Sequence, residues 1–527
     1  MEDAQQSVEA PRKRTWLWQP NLIVFLSSAC VMTLELVAGR IIAPYVGVSL
    51  YTWTSVIGVV LAGMSLGNFV GGKLADRWAS PRLLGGIFAL GGVLSLGILS
   101  VEAMDRMLSI DRLTEVGMHI IVPIVLLTAV LFFLPAAVLG TISPIVAKLA
   151  VRDLAKTGST VGKIYAFGSI GSIVGTFATG FWLISWFGTH KIVWGVAVLL
   201  FLIGLLFLVG KQWPWLIVAI WVIGAGTGAV YARGWLDGPC LRETNYFCIK
   251  VHDEEKDGEV VRVLILDRLV HSYSSLTDPT HLVYGYERAY ATATDYQERR
   301  TEEPLSALFI GGGGYTFPRY VEAVYPGSRI DVVEIDPWVT ETAYEKLGLS
   351  RDTEIASYNE DARMFLERTP DRRYTLIFGD AFNDFSVPYH LTTLEFNERV
   401  RAWLSQDGMY IVNVVDGGRA NFLRAYLHTV RQTFPYVYLA PSIDSWRTTV
   451  RSTFVILAAN EPLDRVRLQE IDAEDGDTYL SGQLLSDAEL DALLAEASPP
   501  TLTDRYAPVD QMMAEVFLDI EPEEAEE

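Results

Sequence analysis

Leu305–Pro337, LSALFIGGGGYTFPRYVEAVYPGSRIDVVEIDP, decides the fold of the C-terminal half of this chain. It opens on a short apolar run, Leu305–Ile310, that reads as a buried parallel strand. Four glycines follow, Gly311 to Gly314, and then a segment with helical spacing (Tyr320, Val321, Val324) that stops at Pro326 and Gly327. A second apolar strand, Ile330–Val333, ends on Glu334. A glycine turn lets a ligand approach the backbone, and a carboxylate roughly 20 residues on can accept hydrogen bonds from a ribose diol. Thr316 stands where the third glycine of the G-x-G-x-x-G fingerprint would be, so that fingerprint is incomplete. Glycines alone also suit a tight strand-to-helix turn. Glu334 turns the reading towards a nucleoside-binding α/β domain.

Further acidic residues fall at the same level. A short third strand, around Glu354–Ser357, is followed by Asp361 and Ala362. A fourth, Tyr374–Phe378, runs into Gly379 and Asp380, with Asp384 close behind. A helix over Thr393–Leu404 leads to a fifth strand, Met409–Val415. Gly311–Gly314, Glu334, Asp361 and Asp380 therefore sit at or just beyond the carboxyl ends of predicted parallel strands, where open α/β sheets bind ligands. Upstream, Phe247–Val251 and Val260–Leu266 flank the polar turn Asp253–Gly258, as in a β-hairpin. The next stretch, LDRLVHSYSSLTDPTHLVYGYERAYA, ends in a helix containing Tyr286 and Glu287. Glu521–Glu527 reads as a disordered acidic tail.

The other half is of a different kind. Of the 42 Lys and Arg in the 527 residues, 16 fall before Asp237, while only 10 of the 63 Asp and Glu do. The first part is apolar and slightly basic; the second is strongly acidic, which argues against nucleic acid and suits a cationic ligand or simply a soluble surface. Seven apolar stretches can each span a bilayer core, which needs about 20 helical residues. They are Leu22–Ala43, Thr52–Gly72, Leu83–Val101, Met118–Leu139, Val161–Trp186, Ile192–Val209 and Trp213–Ala232.

With the N-terminus in the cytoplasm, the inner side holds Arg12, Lys13, Arg14, Lys73, Arg77, Arg82, Lys148, Arg152, Lys156, Lys163 and Lys211. The outer side holds only Arg40, Arg106, Arg112, Lys191 and Arg233, a positive-inside distribution. A multi-pass membrane protein is expected, in contact with lipid. An odd number of spans puts Trp235 and the whole soluble half outside the cytoplasm. Cys240 and Cys248 lie just there; in an oxidising compartment they are expected to form a disulfide, the alternative being two buried thiols. Glu35, within the first span, is either a proton or cation site or the partner of Arg40. The loop GGKLADRWASPR (Gly71–Arg82) resembles the cytoplasmic loop between the second and third helices of major facilitator transporters, of which half the usual helices are present.

LDRLVHS, YERAYA, FIGGGG, VVEID, NEDARMFL and YTLIFGDAF occur in the order and spacing of the spermidine synthase (polyamine aminopropyltransferase) family, which the soluble half resembles over roughly Thr244 to Asn460. With helices in front and VPYHLTTLEF behind, the whole looks like the bacterial membrane-fused group of that family. The resemblance implies a Rossmann-like sheet that binds decarboxylated S-adenosylmethionine, or a related adenine nucleoside, as co-substrate, with no metal. It implies that Gly311, Gly312 and Gly313 cradle the nucleoside, that Glu334 binds its ribose, and that Asp361 and Ala362 contact its adenine. It makes Asp380 the catalytic base and places His271, Tyr286, Glu287 and Asp384 beside a polyamine or other amine acceptor.

The architecture expected is thus a multi-span α-helical domain followed by an α/β, Rossmann-like domain preceded by a small β-hairpin subdomain. The divisions are a cytoplasmic segment 1–20, a seven-helix domain 21–235, a small β subdomain 236–303, a nucleoside-binding domain 304–460 and a C-terminal extension 461–527. A homo-oligomer is left open.

Two departures matter. The family's glycine loop carries an aspartate that holds the donor's amino group, and here that position is Gly314. The loss removes a charge-assisted hydrogen bond of about 1.5–3 kcal/mol. The family's glutamine in the LDRLVHS segment is His271, and its paired aspartates are spread out as Asp380 and Asp384. A methyltransferase using ordinary S-adenosylmethionine, and a non-catalytic polyamine or nucleoside sensor coupled to a half-transporter, are the competing readings.

Overall fold

Helices that pair through glycine build the N-terminal half. Residues 20–108, 121–151, 154–209, 213–234, 236–301, 303–381, 387–474, 478–513 and 516 are described by a computed structural model. Arg12, Lys13, Arg14, Arg112, Arg152, Lys211, Trp235, Asp384 and the tail Glu521–Glu527 lie outside them. Among the described residues six helices are long and apolar enough to cross a membrane: Pro20–Val46, Leu50–Trp78, Pro81–Arg106, Ile121–Ala150, Leu154–Phe187 and Thr189–Val209. The seventh expected span is the helix Trp213–Ala232, which falls short of the six in described apolar length.

A Cβ on Gly171 would stand 2.2 Å from the backbone oxygen of Phe25, and one on Gly67 would stand 2.1 Å from that of Ala137. These approaches join the first helix to the fifth and the second to the fourth, while the third packs on the sixth. Such close backbone contact gains dispersion energy between the paired helices.

Arg40, near the end of the first helix, donates to the backbone carbonyls of Thr244, Asn245 (2.9 Å) and Tyr246 (3.0 Å). It is therefore committed to the soluble half rather than to Glu35. At the start of the sixth helix the backbone N–H and hydroxyl of Thr189 donate to Glu243, at 2.7 and 3.0 Å. The soluble half is seated on the end of the bundle where the first helix finishes, opposite Pro20. Cys240 and Cys248 are joined by a disulfide in this seat, with their Cα atoms 5.2 Å apart.

Beyond the seat, the expected hairpin is a four-stranded antiparallel sheet: β1 (Arg242–Glu243), β2 (Cys248–Lys256), β3 (Glu259–Leu266) and β4 (Leu269–Ser275). β4 escaped the sequence pattern because its inward face carries Ser272 and Ser274, both buried, in place of apolar side chains.

The second sheet contains β5 (Ser306–Ile310), β6 (Arg329–Val333), β7 (Ala356–Tyr358), β8 (Tyr374–Gly379), β9 (Leu404–Asp416), β10 (Tyr436–Pro441) and β11 (Ser452–Ala459). Its order is β10-β11-β9-β8-β5-β6-β7, with β11 antiparallel to both neighbours and the rest parallel. This is a Rossmann-like mixed sheet whose order reverses between β5 and β8, so a crevice opens beyond their carboxyl ends. β9 starts five residues before the expected Met409, and β7 is displaced two residues from the expected start. Helix Gly285–Glu298 packs across this end, Tyr290 meeting Phe378 at 5.1 Å and Phe317 at 5.3 Å between ring centres. That packing brings Tyr286 and Glu287 over the strand ends.

Candidate active site

The glycine loop follows β5 because nothing larger fits. Gly311 has φ +97°, and a Cβ there would stand 2.3 Å from the carbonyl oxygen of Asp380. At the far end of the loop, a Cβ on Gly314 would lie 1.9 Å from Ser272 Oγ and 3.0 Å from Ser274 Oγ. A side chain at Gly314 would therefore meet the serine side chains of β4, and either they or the loop would have to shift.

Glu334, at the carboxyl end of β6, is buried; its two oxygens accept the backbone N–H of Gly312 (2.8 Å) and of Asp336 (2.9 Å). Burial raises its pKa, and these N–H groups work in the opposite direction. Asp361, beyond β7, caps the helix Ala362–Leu366 through Met364 N (3.1 Å) and meets Nε2 of His390 at 3.0 Å. Ala362 is buried behind it.

A cavity of about 120 Å³ opens on the other side of the loop. It brings His271, Tyr286, Glu287, Asp380 and Gly311–Gly313 together; Glu334, Asp361 and Ala362 do not line it. Asp380 is held from two sides: its N–H donates to Ile310 O at 2.9 Å, and Asn413 Nδ2 donates to its Oδ1 at 3.0 Å. Burial pushes its pKa up to about 6, against hydrogen bonds from Asn413 and Tyr286. Glu287 is pushed further, to about 8, by burial and then by the charge of Asp380. Its Oε2 is buried without a hydrogen-bond partner among the described residues. Burial and the neighbouring charge thus favour a proton on the pair, and on Glu287 more than on Asp380, a base beside a donor.

His271 is pushed down to about 4 by burial, so its ring is neutral. With Nδ1 2.9 Å from the carbonyl oxygen of Leu269, the proton belongs on Nδ1 and leaves Nε2 as an acceptor.

Asn413, Tyr290 and Arg451 also line the cavity and were not singled out in the sequence. Asn413 had a readable signal, one amide inside the apolar run Met409–Val415. Tyr290 lay inside the YERAYA segment without being singled out, and Arg451, the residue before β11, had no signal.

No family model matches the chain. A polyamine aminopropyltransferase of Vibrio vulnificus is 34% identical over 113 residues, covering 21% of this chain and 38% of that protein. The chain is homologous to polyamine aminopropyltransferases over part of its length. It spans well under half of that relative. The polyamine aminopropyltransferase of Corynebacterium efficiens is 26% identical over 426 residues, covering 76% of this chain and 78% of its own length. That share exceeds the soluble half, so the match runs into the helices. Methyltransferases match as well. Among solved structures, a probable spermidine synthase from Corynebacterium glutamicum is 20% identical at a TM-score of 0.43, covering 50% of this chain and 95% of that one.

Proposed function

We propose that this chain is a membrane-anchored transferase of the polyamine aminopropyltransferase type. It moves an amine-bearing three-carbon group from an adenosyl sulfonium, decarboxylated S-adenosylmethionine or a close relative of it, to an amine. The observation that carries the reading is the half-buried Asp380, fixed by Asn413 and lining one cavity with Glu287 at the switch point of the sheet.

Gly311–Gly313 and Glu334 take the ribose side of the nucleoside, and Asp361 with Ala362 the adenine. The acceptor nitrogen attacks the methylene carbon beside the sulfonium. The new C–N bond forms as the C–S bond breaks, and its electron pair returns to sulfur, giving the neutral thioether methylthioadenosine. Amines of pKa about 10 are mostly protonated at neutral pH. Asp380 therefore selects the neutral amine or receives its proton, while Glu287, Tyr286 and His271 orient the rest of the acceptor. Asp384 is assigned to a distal ammonium group.

The six long apolar helices anchor the enzyme in a membrane. The positive-inside distribution favours a cytoplasmic N-terminus, and the seat at the opposite end of the bundle then faces outwards. Methyl transfer is the second reading, favoured by the glycine at position 314; its product would be S-adenosylhomocysteine rather than methylthioadenosine.

The test is Asp380→Asn in the full-length protein. Turnover with a panel of amines should stop, with nucleoside affinity kept within about tenfold. Wild-type turnover in the variant would remove Asp380 as the base.

A further inference from the structure

One face of the sheet runs from Asp380 out to a cation. Asp380 stands level with Asn413 of β9, because Gly379 pairs with Val412, and Asn413 donates to it. Val415 is next on that face of β9, and Thr453 of β11 lies directly opposite it. Arg451 follows on the same face, one step past the Ser452–Asp416 pair that ends the ladder. From Asn413 to that point is roughly 13 Å along an extended strand. Asn413, Val415, Thr453 and Arg451 all line the cavity. Val516, from the C-terminal extension, lines it too; it is buried and would stand 3.5 Å from a Cβ on Gly417, just past the end of β9.

Charge changes sign along this face. Among the described residues that line the cavity, the carboxylates are Asp380 and Glu287, and the guanidinium is that of Arg451. Arg451 is exposed, and among the described residues it has no ion pair and no hydrogen bond. Arg447, in the same loop, is paired with Glu496 at 2.9 Å. The glycine loop and Glu334 follow β5 and β6, on the other side of β8 from β9 and β11. The nucleoside's side and the Arg451 face therefore lie on opposite sides of Asp380.

An acceptor whose nitrogen meets Asp380 extends past Val415 and Val516 towards Arg451. A second ammonium would end against a guanidinium, whereas a carboxylate would be held by it in bidentate fashion. We infer that the acceptor is an amino acid with its amine and its carboxylate at opposite ends of a short hydrocarbon chain, and that Arg451 binds the carboxylate. The chemistry is that of the transfer already described. The C–N bond forms as the C–S bond breaks with its electron pair to sulfur, the amine's proton passes to Asp380, and the carboxylate takes no part. This rests on the transferase reading proposed above.

The test uses the full-length protein in detergent, saturated with methylthioadenosine and titrated calorimetrically with γ-aminobutyrate and ε-aminocaproate. The diamine and the monoamine of each length are the comparisons. The better amino acid should bind about tenfold or more tightly than its diamine. Arg451→Gln should weaken the amino acid about tenfold and strengthen the diamine, whose second ammonium it no longer repels; Arg451→Lys should recover part of the preference. Mass spectrometry after incubation with either sulfonium donor then asks which amine is converted. A wild-type preference for the diamine, or equal losses for all three kinds of amine in Arg451→Gln, would overturn the inference, and conversion of any amine would still uphold the transferase reading. Amino acid binding with no amine converted would uphold the Arg451 site and overturn the transferase. Failure of every amine to bind would overturn both.

Discussion

The hydroxyl of Thr244 donates to Oδ2 of Asp336 at 2.5 Å, tying the seat of the helical bundle to the strand end that carries Glu334. On one side, the carbonyl of Thr244 accepts from Arg40 of the first helix. On the other, the N–H of Asp336 donates to Glu334, whose second oxygen accepts from Gly312. A short run of hydrogen bonds thus links an apolar helix to the glycine loop.

Thr244→Val keeps the shape and removes the donor, leaving Asp336 Oδ2 buried without it. The expected outcome is a loss of about 1–3 kcal/mol in stability and a several-fold fall in nucleoside affinity. Thermal unfolding and calorimetry of the full-length protein check the two separately. Unchanged affinity would mean that Gly312 and the local turn position Glu334 without help from the seat.

Glu334→Ala should weaken nucleoside binding by at least about a hundredfold, because a ribose diol would lose two charge-assisted hydrogen bonds. Circular dichroism should find the secondary structure retained, since the carboxylate accepts from turn N–H groups, those of Gly312 and Asp336 among them, and from no helix or strand ladder among the described residues. Wild-type affinity would remove Glu334 from the site.

The half of the site nearest the loop was legible because buried parallel strands are continuous apolar runs, so Leu305–Ile310 and Ile330–Val333 announce their own ends. What those ends face was not legible. Asn413 reaches Asp380 only because β9 lies beside β8, and Arg451 reaches the cavity only because β11 inserts antiparallel beside β9. β4 stayed hidden because its buried serines break the apolar alternation on which strand reading depends. Arg40 looked like a partner for Glu35 by spacing, but backbone carbonyls more than two hundred residues away satisfy it instead.

Glu287 gives a stability signature in pH. Its folded pKa, about 8, lies above its ordinary value of 4.5 through burial and the charge of Asp380. The folded state therefore binds more protons than the unfolded one between those values, and the stability present below about pH 4.5 is lost as pH rises to about 8. Glu287→Gln cannot ionise, so it should match wild type at pH 4.5 and exceed it at pH 8, by a few kcal/mol. Thermal unfolding across that window measures the gap. A gap that does not widen with pH would mean that Glu287 does not titrate inside the cavity.

The last prediction concerns the disulfide and the side of the membrane together. Cys240 and Cys248 are bridged beside the Arg40 seat, and Cys30, the remaining cysteine, is buried in the first helix. Disulfides persist in oxidising compartments and are rare where thiols are kept reduced. In the membrane reading proposed above, the positive-inside distribution would put this seat outside the cytoplasm, whereas the supply of a sulfonium nucleoside would put it inside. Thiol labelling of intact cells separates the two. With the seat outside, a membrane-impermeant reagent should label nothing before reduction and both cysteines after treatment with an impermeant reductant. Cys240→Ser should expose one reactive thiol at Cys248 once the protein is unfolded, and cost about 2–3 kcal/mol because the bridge closes only a short loop. Labelling confined to a permeant reagent without prior reduction would place the seat in the cytoplasm, and the transferase would then draw its donor from the pool that makes it.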